Sequence, residues 1–228
     1  MSQLPRLNYK RTNSRTTVQD LYDTNYEARL PKDKSRPYYS SHPATAENIK
    51  SAYPEIQKVN GWAEAIVQTA RRLRIADPGW LANLMYFETG FTLNPNVMNK
   101  NGCGGLLNFC PNSSAKKVGK TVTELTSMEA LEQMQYVELY LSEYKGKYNT
   151  SADLYMAVYF PIAQGGGPHF SIYNWYLKHM GEAVASNFLN ANNGIKTAGD
   201  YQKFADRHAR LPTVLGTEKE DTSSVVLY

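Results

Sequence analysis

Through the middle of the chain, apolar positions recur with the period of an α-helix. "GWAEAIVQTARRLRI" predicts an amphipathic helix from Trp62 to Arg74. "DPGWLANLMYFETG" predicts a second, with Asp77 as N-cap, Pro78 in the first turn and Gly90 just past the end. In "TSMEALEQMQYVELYLSEYKGK", Thr126 and Glu129 have the spacing of a capping box. Met128, Leu131, Met134 and Leu141 then supply most of an apolar stripe. "SADLYMAVYF" predicts a helix capped at Ser151 and stopped at Pro161. "PHFSIYNWYLKHMG", "EAVASNFLNANN" and "AGDYQKFADRHARL" complete the set. No strand alternation persists. The expectation is an all-α domain interrupted by one long irregular loop, Phe91 to Ser114.

The flanks follow no such period. The opening stretch mixes Pro with scattered charge of both signs, a composition that cannot bury enough apolar surface to fold alone. The chain therefore divides into an extended N-terminal arm for assembly (1–50), a helical domain (51–193), and a C-terminal helix with an extended tail (194–228). The tail ends in a β-prone piece, Val225 to Tyr228, suited to pairing with the sheet edge of another chain.

Composition changes this picture little. At 228 residues, with 42% hydrophobic and 20% charged content, the chain can build one full core. A net charge of +4 tolerates polyanions without demanding them. The 17 Tyr suit sugar stacking and protein interfaces, since the ring is apolar and the hydroxyl stays wet. No apolar run approaches the ~18 residues that span a bilayer, so no membrane partner is expected. No apolar segment follows the basic start, so no secretion signal is read there. Cys103 and Cys110 are expected as free thiols, on the reading that the chain is made in a cytoplasm. No metal site and no cofactor are expected, because neither cysteine has a further ligand at metal-binding spacing.

The candidate chemistry lies at the end of the second helix. Leu81, Leu84 and Met85 fall at i, i+3 and i+4, and the next member of that stripe is Glu88. A carboxylate thus faces the apolar side, flanked by Phe87 and Phe91. Burial without a partner is costly. The group must be paired, exposed at a cleft or protonated, and apolar neighbours raise a carboxyl pKa as a general acid requires. The alternative is a purely structural Glu88 bonded to backbone N–H groups of the Gly-rich loop.

Glu88-Thr-Gly-Phe, then Asn94-Pro-Asn-Val, then Gly102-x-x-Gly105-Leu106 with Pro111, resembles the lysozyme-like soluble lytic transglycosylases. It is closest to their phage tail members, which share a segment similar to Leu154–Gly165 here. The resemblance spans about Trp80 to Gly165. It implies an all-α, lysozyme-like fold and cleavage of the MurNAc–GlcNAc β-1,4 bond of peptidoglycan, with Glu88 as the acid. It further implies substrate binding by Asn108, which stands where the family has Gln, and by Gly105 and Leu106 in the loop. Tyr159 takes the place of a tyrosine that supports the catalytic Glu. Leu107 and Cys110 replace the usual Met, and Phe160 replaces a polar Asn.

Other motifs fail. "SAKKVGKT" has Ser114 where a phosphate loop needs its first Gly, and "GCGG" lacks a dinucleotide-site context. "QGGGPH" reads as a hinge and His169 as a cap or surface residue. Arg71, Arg72 and Arg74 read as a solvated face. The sequence thus predicts a virion-associated lytic transglycosylase or lysozyme mounted in a phage tail or baseplate. Its partners are the glycan strand and, through the arms, other tail proteins, with no nucleic acid. The alternative is a structural hub or connector protein with the same fold and weak or no activity.

Overall fold

The computed structural model describes residues 43–213. The N-terminal arm up to residue 42 and the tail beyond Thr213, with Val225 to Tyr228, lie outside the described residues. Among the described residues the chain forms ten α-helices joined by short 3-10 turns, with β-pairing confined to isolated bridges. The all-α expectation holds.

Capping chemistry sets most helix starts. α1 (Ala46–Ala52) begins at a reciprocal box between Thr45 and Asn48. α2 (Trp62–Leu73) follows Gly61, and α3 (Pro78–Glu88) starts where the Asp77 side chain accepts from the Gly79 N–H. α4 (Ser114–Lys117) and α5 (Val122–Thr126) are short, and α5 is boxed by Thr121 and Glu124. α6 (Ala130–Leu141) is entered from Glu129 without a side-chain cap. The expected Thr126–Glu129 box is therefore corrected. Thr126 closes α5 instead, its hydroxyl bonded back to the Val122 carbonyl at 3.0 Å. α7 (Ser151–Tyr159) is capped by Thr150, boxed with Asp153, one residue before the expected Ser151. α8 (Ile172–Met180), α9 (Glu182–Ala191) and α10 (Ala198–Ala205) complete the fold.

The core is built around α2 and α3. α2 packs against α1, α3 and α6, while α3 reaches α7, which in turn carries α10. Every residue of α3 from Pro78 to Tyr86 is buried. Leu81, Leu84 and Met85 are wholly so, each contributing about 2 kcal/mol of apolar burial. Arg72, expected on a solvated face, instead donates through Nε and Nη2 to both Glu138 oxygens, at 2.8 and 2.6 Å. This two-point bond ties α2 to α6.

The packed body extends past both expected boundaries. Ile49 of α1 is wholly buried, and α10 packs on α7. The segment after α10 runs back along α3. The Asn83 amide donates to the Leu211 carbonyl at 2.9 Å, and Arg210 lies over the Tyr86 ring and donates to its hydroxyl at 2.7 Å. Ala44 donates its N–H to Asp77 at 3.1 Å. A Cβ added at Gly79 would stand 3.2 Å from both Ala44 Cβ and Leu211 Cβ. Both ends of the described chain therefore meet at the start of α3, the helix whose other end is Glu88.

Between α7 and α10, a loop containing Gly165 and Gly167, both at positive φ, leads into α8. The α8–α9 hairpin is clipped at its base by a bridge between Ser171 and Thr197. Its tip exposes Leu177, Met180 and Val184. His169 is exposed, as expected.

Candidate active site

Glu88 ends α3 because the residues after it satisfy the helix's last carbonyls. Gly90 adopts φ 61°, its N–H bonds to the Phe87 carbonyl at 3.1 Å, and the Phe91 N–H bonds to Tyr86 at 2.8 Å. That is a Schellman stop, which needs a left-handed residue and favours glycine. Thr89 is buried beside it. Its hydroxyl donates to the Met85 carbonyl at 2.7 Å and accepts from the Leu93 N–H at 2.9 Å. The Glu-Thr-Gly triplet thus terminates the helix and launches the loop in a fixed direction.

The loop is a small, tightly crossed structure. Gly104 and Phe109 exchange both backbone hydrogen bonds, at 3.0 and 2.7 Å, around a turn closed by Asn108 N–H to Gly105 O at 3.0 Å. A side chain at Gly104 would collide with the Val97 carbonyl. Cys103 and Cys110, the next cross-strand pair, are joined as a disulfide. This overturns the expectation of free thiols. The physical reason is the pairing register: the non-hydrogen-bonded pair beside Gly104–Phe109 brings two Cβ atoms close together.

Gln133, from α6, fastens this loop to the body. It is wholly buried, accepts from the Leu106 N–H at 2.9 Å, and donates to the carbonyls of Pro95 and Leu125, both at 2.7 Å. Gly105, at φ 80°, leaves the space that Gln133 Oε1 occupies. Leu106 is wholly buried and its N–H is taken by Gln133, so it anchors the loop and faces no ligand. Gly105 and Leu106 sit at the hinge of the loop and set its position.

Asn108 meets Glu88. It stands at φ 50°, in the left-handed region that Asn enters more readily than other non-glycine residues. Its Oδ1 accepts from Asn99 Nδ2 at 3.0 Å, leaving its own amide N–H groups as the donors to the Glu88 carboxyl. Glu88 itself is half-buried. Loss of hydration pushes its pKa up to about 8, and the Asn108 hydrogen bond pulls it partly back. The carbonyl end of α3 disfavours negative charge there as well. Lost hydration and the helix end both favour the protonated form.

Aromatic rings pack around this end of α3. Phe87 makes edge contacts at 6.0 Å with Phe91, Tyr155, Tyr201 and Phe204. Burial raises the pKa of Tyr140 to about 12 and lifts those of Tyr155 and Tyr201 too, and the Glu88 charge adds to each. These phenols remain neutral. Tyr159, expected to support Glu88, donates its single proton to Asn192 Oδ1 at 2.8 Å and stacks on Tyr201 at 3.8 Å. The structure thus brings Glu88 and Asn108 into contact, with Gly105 and Leu106 behind them and Tyr159 one ring further out.

Asn99, Gln133, Tyr155 and Tyr201 were not anticipated. Asn99 lies within the Asn-rich loop. The other three come from helices where a polar side chain on a buried face was the available signal. On the other side of the loop, Met98, Gly102 and Pro111 face Lys116, Lys120 and Thr123 across an open groove of about 580 Å³. Glu88 does not line it.

What the arrangement can do is donate a proton from a desolvated carboxyl to a bound oxygen and take one back. Comparison with models of protein families, with curated proteins and with solved structures finds no match to the chain.

Proposed function

We propose that the chain is a lysozyme-like, virion-associated enzyme of the lytic transglycosylase or lysozyme type. It cleaves the MurNAc–GlcNAc β-1,4 bond of peptidoglycan with Glu88 as the general acid. The observation that carries this reading is the placing of Glu88, half-buried at the last position of α3 beside the Phe87 ring cluster, where desolvation raises its carboxyl pKa. The protonated carboxyl gives its proton to the glycosidic oxygen as the C1–O bond breaks, and the GlcNAc 4-hydroxyl leaves. The resulting carboxylate then takes a proton from the nucleophile. If that is the muramic 6-hydroxyl, a 1,6-anhydro ring closes; if it is water, a reducing end forms. The substrate's own acetamido group stands in for the second carboxylate of most glycosidases. The arms hold the domain in a phage tail or baseplate.

The test is digestion of purified peptidoglycan by the chain and by Glu88→Gln, with mass spectrometry of the products. Anhydro-muropeptides lost in the variant establish a transglycosylase, and reducing ends establish a lysozyme. A folded chain yielding neither supports a second reading, a tail or baseplate connector. Commitment of the Tyr159 proton to Asn192 rather than to Glu88 favours that alternative.

A further inference from the structure

The Gly-rich loop is closed covalently around the residue that touches Glu88. Asn108 lies inside the ring formed by the Cys103–Cys110 bond, and Cys110 Sγ stands 3.5 Å from its carbonyl oxygen. At the other end of the bond, the Cys103 N–H donates to Asn99 Oδ1 at 3.1 Å, and Asn99 Nδ2 donates to Asn108 at 3.0 Å. One half-cystine thus holds Asn99 through its backbone N–H, and the sulfur of the other lies against the Asn108 backbone. Asn108 also stands in the left-handed region, at φ 50°, which Asn tolerates better than other side chains. Gln133 and the Gly104–Phe109 pair bind the base of the loop, while the backbone N–H groups of Asn99 and Asn108 bond to Cys103 and Gly105 of the closed ring, at 2.8 and 3.0 Å.

We propose that the Cys103–Cys110 disulfide is the positioning element of the Glu88 site, and that the site is set in the oxidised chain and relaxed in the dithiol chain. The proposal rests on the reading of Glu88 as the general acid. Cys103 is buried and Cys110 half-buried, so a reductant enters at Cys110. A thiolate of a dithiol attacks Cys110 Sγ, the S–S bond breaks, and Cys103 leaves as thiolate. The second thiolate of the reductant then displaces Cys110 and closes the reductant's own disulfide. Two electrons and two protons end on the cysteine pair. Closing runs in reverse, with a disulfide as the oxidant. Thiol-rich surroundings keep the site slack, and an oxidising exterior sets it.

The experiment uses the full chain with its disulfide intact, the same chain reduced by dithiothreitol, and a Cys103→Ser, Cys110→Ser double variant. Alkylation and mass measurement count the free thiols, and far-UV circular dichroism checks the fold. Two readouts are taken: the Glu88 pKa by carboxyl-carbon NMR titration, and release of soluble fragments from peptidoglycan. Reduction is expected to move the Glu88 titration upward, because the Asn108 hydrogen bond that lowers it is lost. Fragment release should fall at least tenfold, and the serine variant should behave as the reduced chain and ignore dithiothreitol. If the titration stays in place with both thiols alkylatable, the noncovalent loop suffices and the proposal is overturned. A titration that moves while no form releases fragments leaves the positioning role standing and removes the enzymatic reading instead. Should the serine variant fail to fold, the reduced chain alone carries both readouts.

Discussion

The Asn108 side chain links Glu88 to Asn99: its amide N–H hydrogen-bonds the Glu88 carboxyl and its Oδ1 accepts from Asn99 Nδ2 at 3.0 Å. That relationship fixes the sign of an experiment. The Asn108 bond favours the charged carboxylate, so Asn108→Ala removes a lowering influence and Glu88 titrates higher still. The expected rise is up to about one pH unit, the worth of one hydrogen bond to a charged group. NMR titration checks it. In the proposed enzyme, the alkaline limb of kcat/KM should move upward in step, from near pH 8 in the parent.

Stability should also report on Glu88. Its folded pKa, about 8, lies above the ordinary value of 4.5, so the folded chain holds a proton that the unfolded chain releases between them. The stabilisation is complete below the lower value and is lost as pH rises through the upper. Glu88→Gln removes this dependence. The variant should match the parent in unfolding free energy at about pH 4 and exceed it at about pH 9, by an amount on the order of a few kcal/mol. A parent whose Tm does not fall across that range relative to the variant would refute the raised pKa.

Gln133 fastens the loop to the body through hydrogen bonds to Leu106, Pro95 and Leu125. Gln133→Leu keeps the volume but strands the buried Leu106 N–H and takes one donor each from the carbonyls of Leu125, which keeps the Met128 N–H, and half-buried Pro95. A loss of about 3 kcal/mol is expected from urea midpoints at unchanged m-value. Because Asn108 follows the same loop, the Glu88 titration should broaden or move in this variant too.

Two glycines separate conformational from steric demand. Gly90 needs its positive φ but has open space around it, so Gly90→Ala should cost about 1 kcal/mol. Gly104 carries no positive φ, yet an added Cβ meets the Val97 carbonyl and the Thr126 methyl, so Gly104→Ala should cost more, about 2–3 kcal/mol. Thermal unfolding of the pair orders them, and the reverse order would mean that the loop moves aside easily.

What could be read from the sequence was local. Asp77, Pro78 and Gly90 bracket α3 because capping and stop chemistry act within a few residues, and the stripe Leu81–Leu84–Met85 placed Glu88 on its face. The misreadings have the same origin. Thr-x-x-Glu occurs at Thr121 and again at Thr126, and spacing alone cannot tell which threonine caps a helix and which bonds back to close one. Thr150 and Ser151 are adjacent and both able to cap. The disulfide depended on a pairing register, and Tyr201 on the return of α10 to α7, which no local pattern encodes. Arg72 looked solvated because its partner, Glu138, lies on another helix.

The clasp at the start of α3 has a mechanical consequence. Ala44 is held by Asp77 and Leu211 by Asn83, so tension between the two ends of the described chain passes across these side chains. Glu88 lies at the far end of the same helix, about 15 Å away at 1.5 Å per residue. A load on the ends falls first on these hydrogen bonds and on the Arg210 contacts beside them. The carboxyl stands outside the line of force, oriented by a loop that the load does not reach.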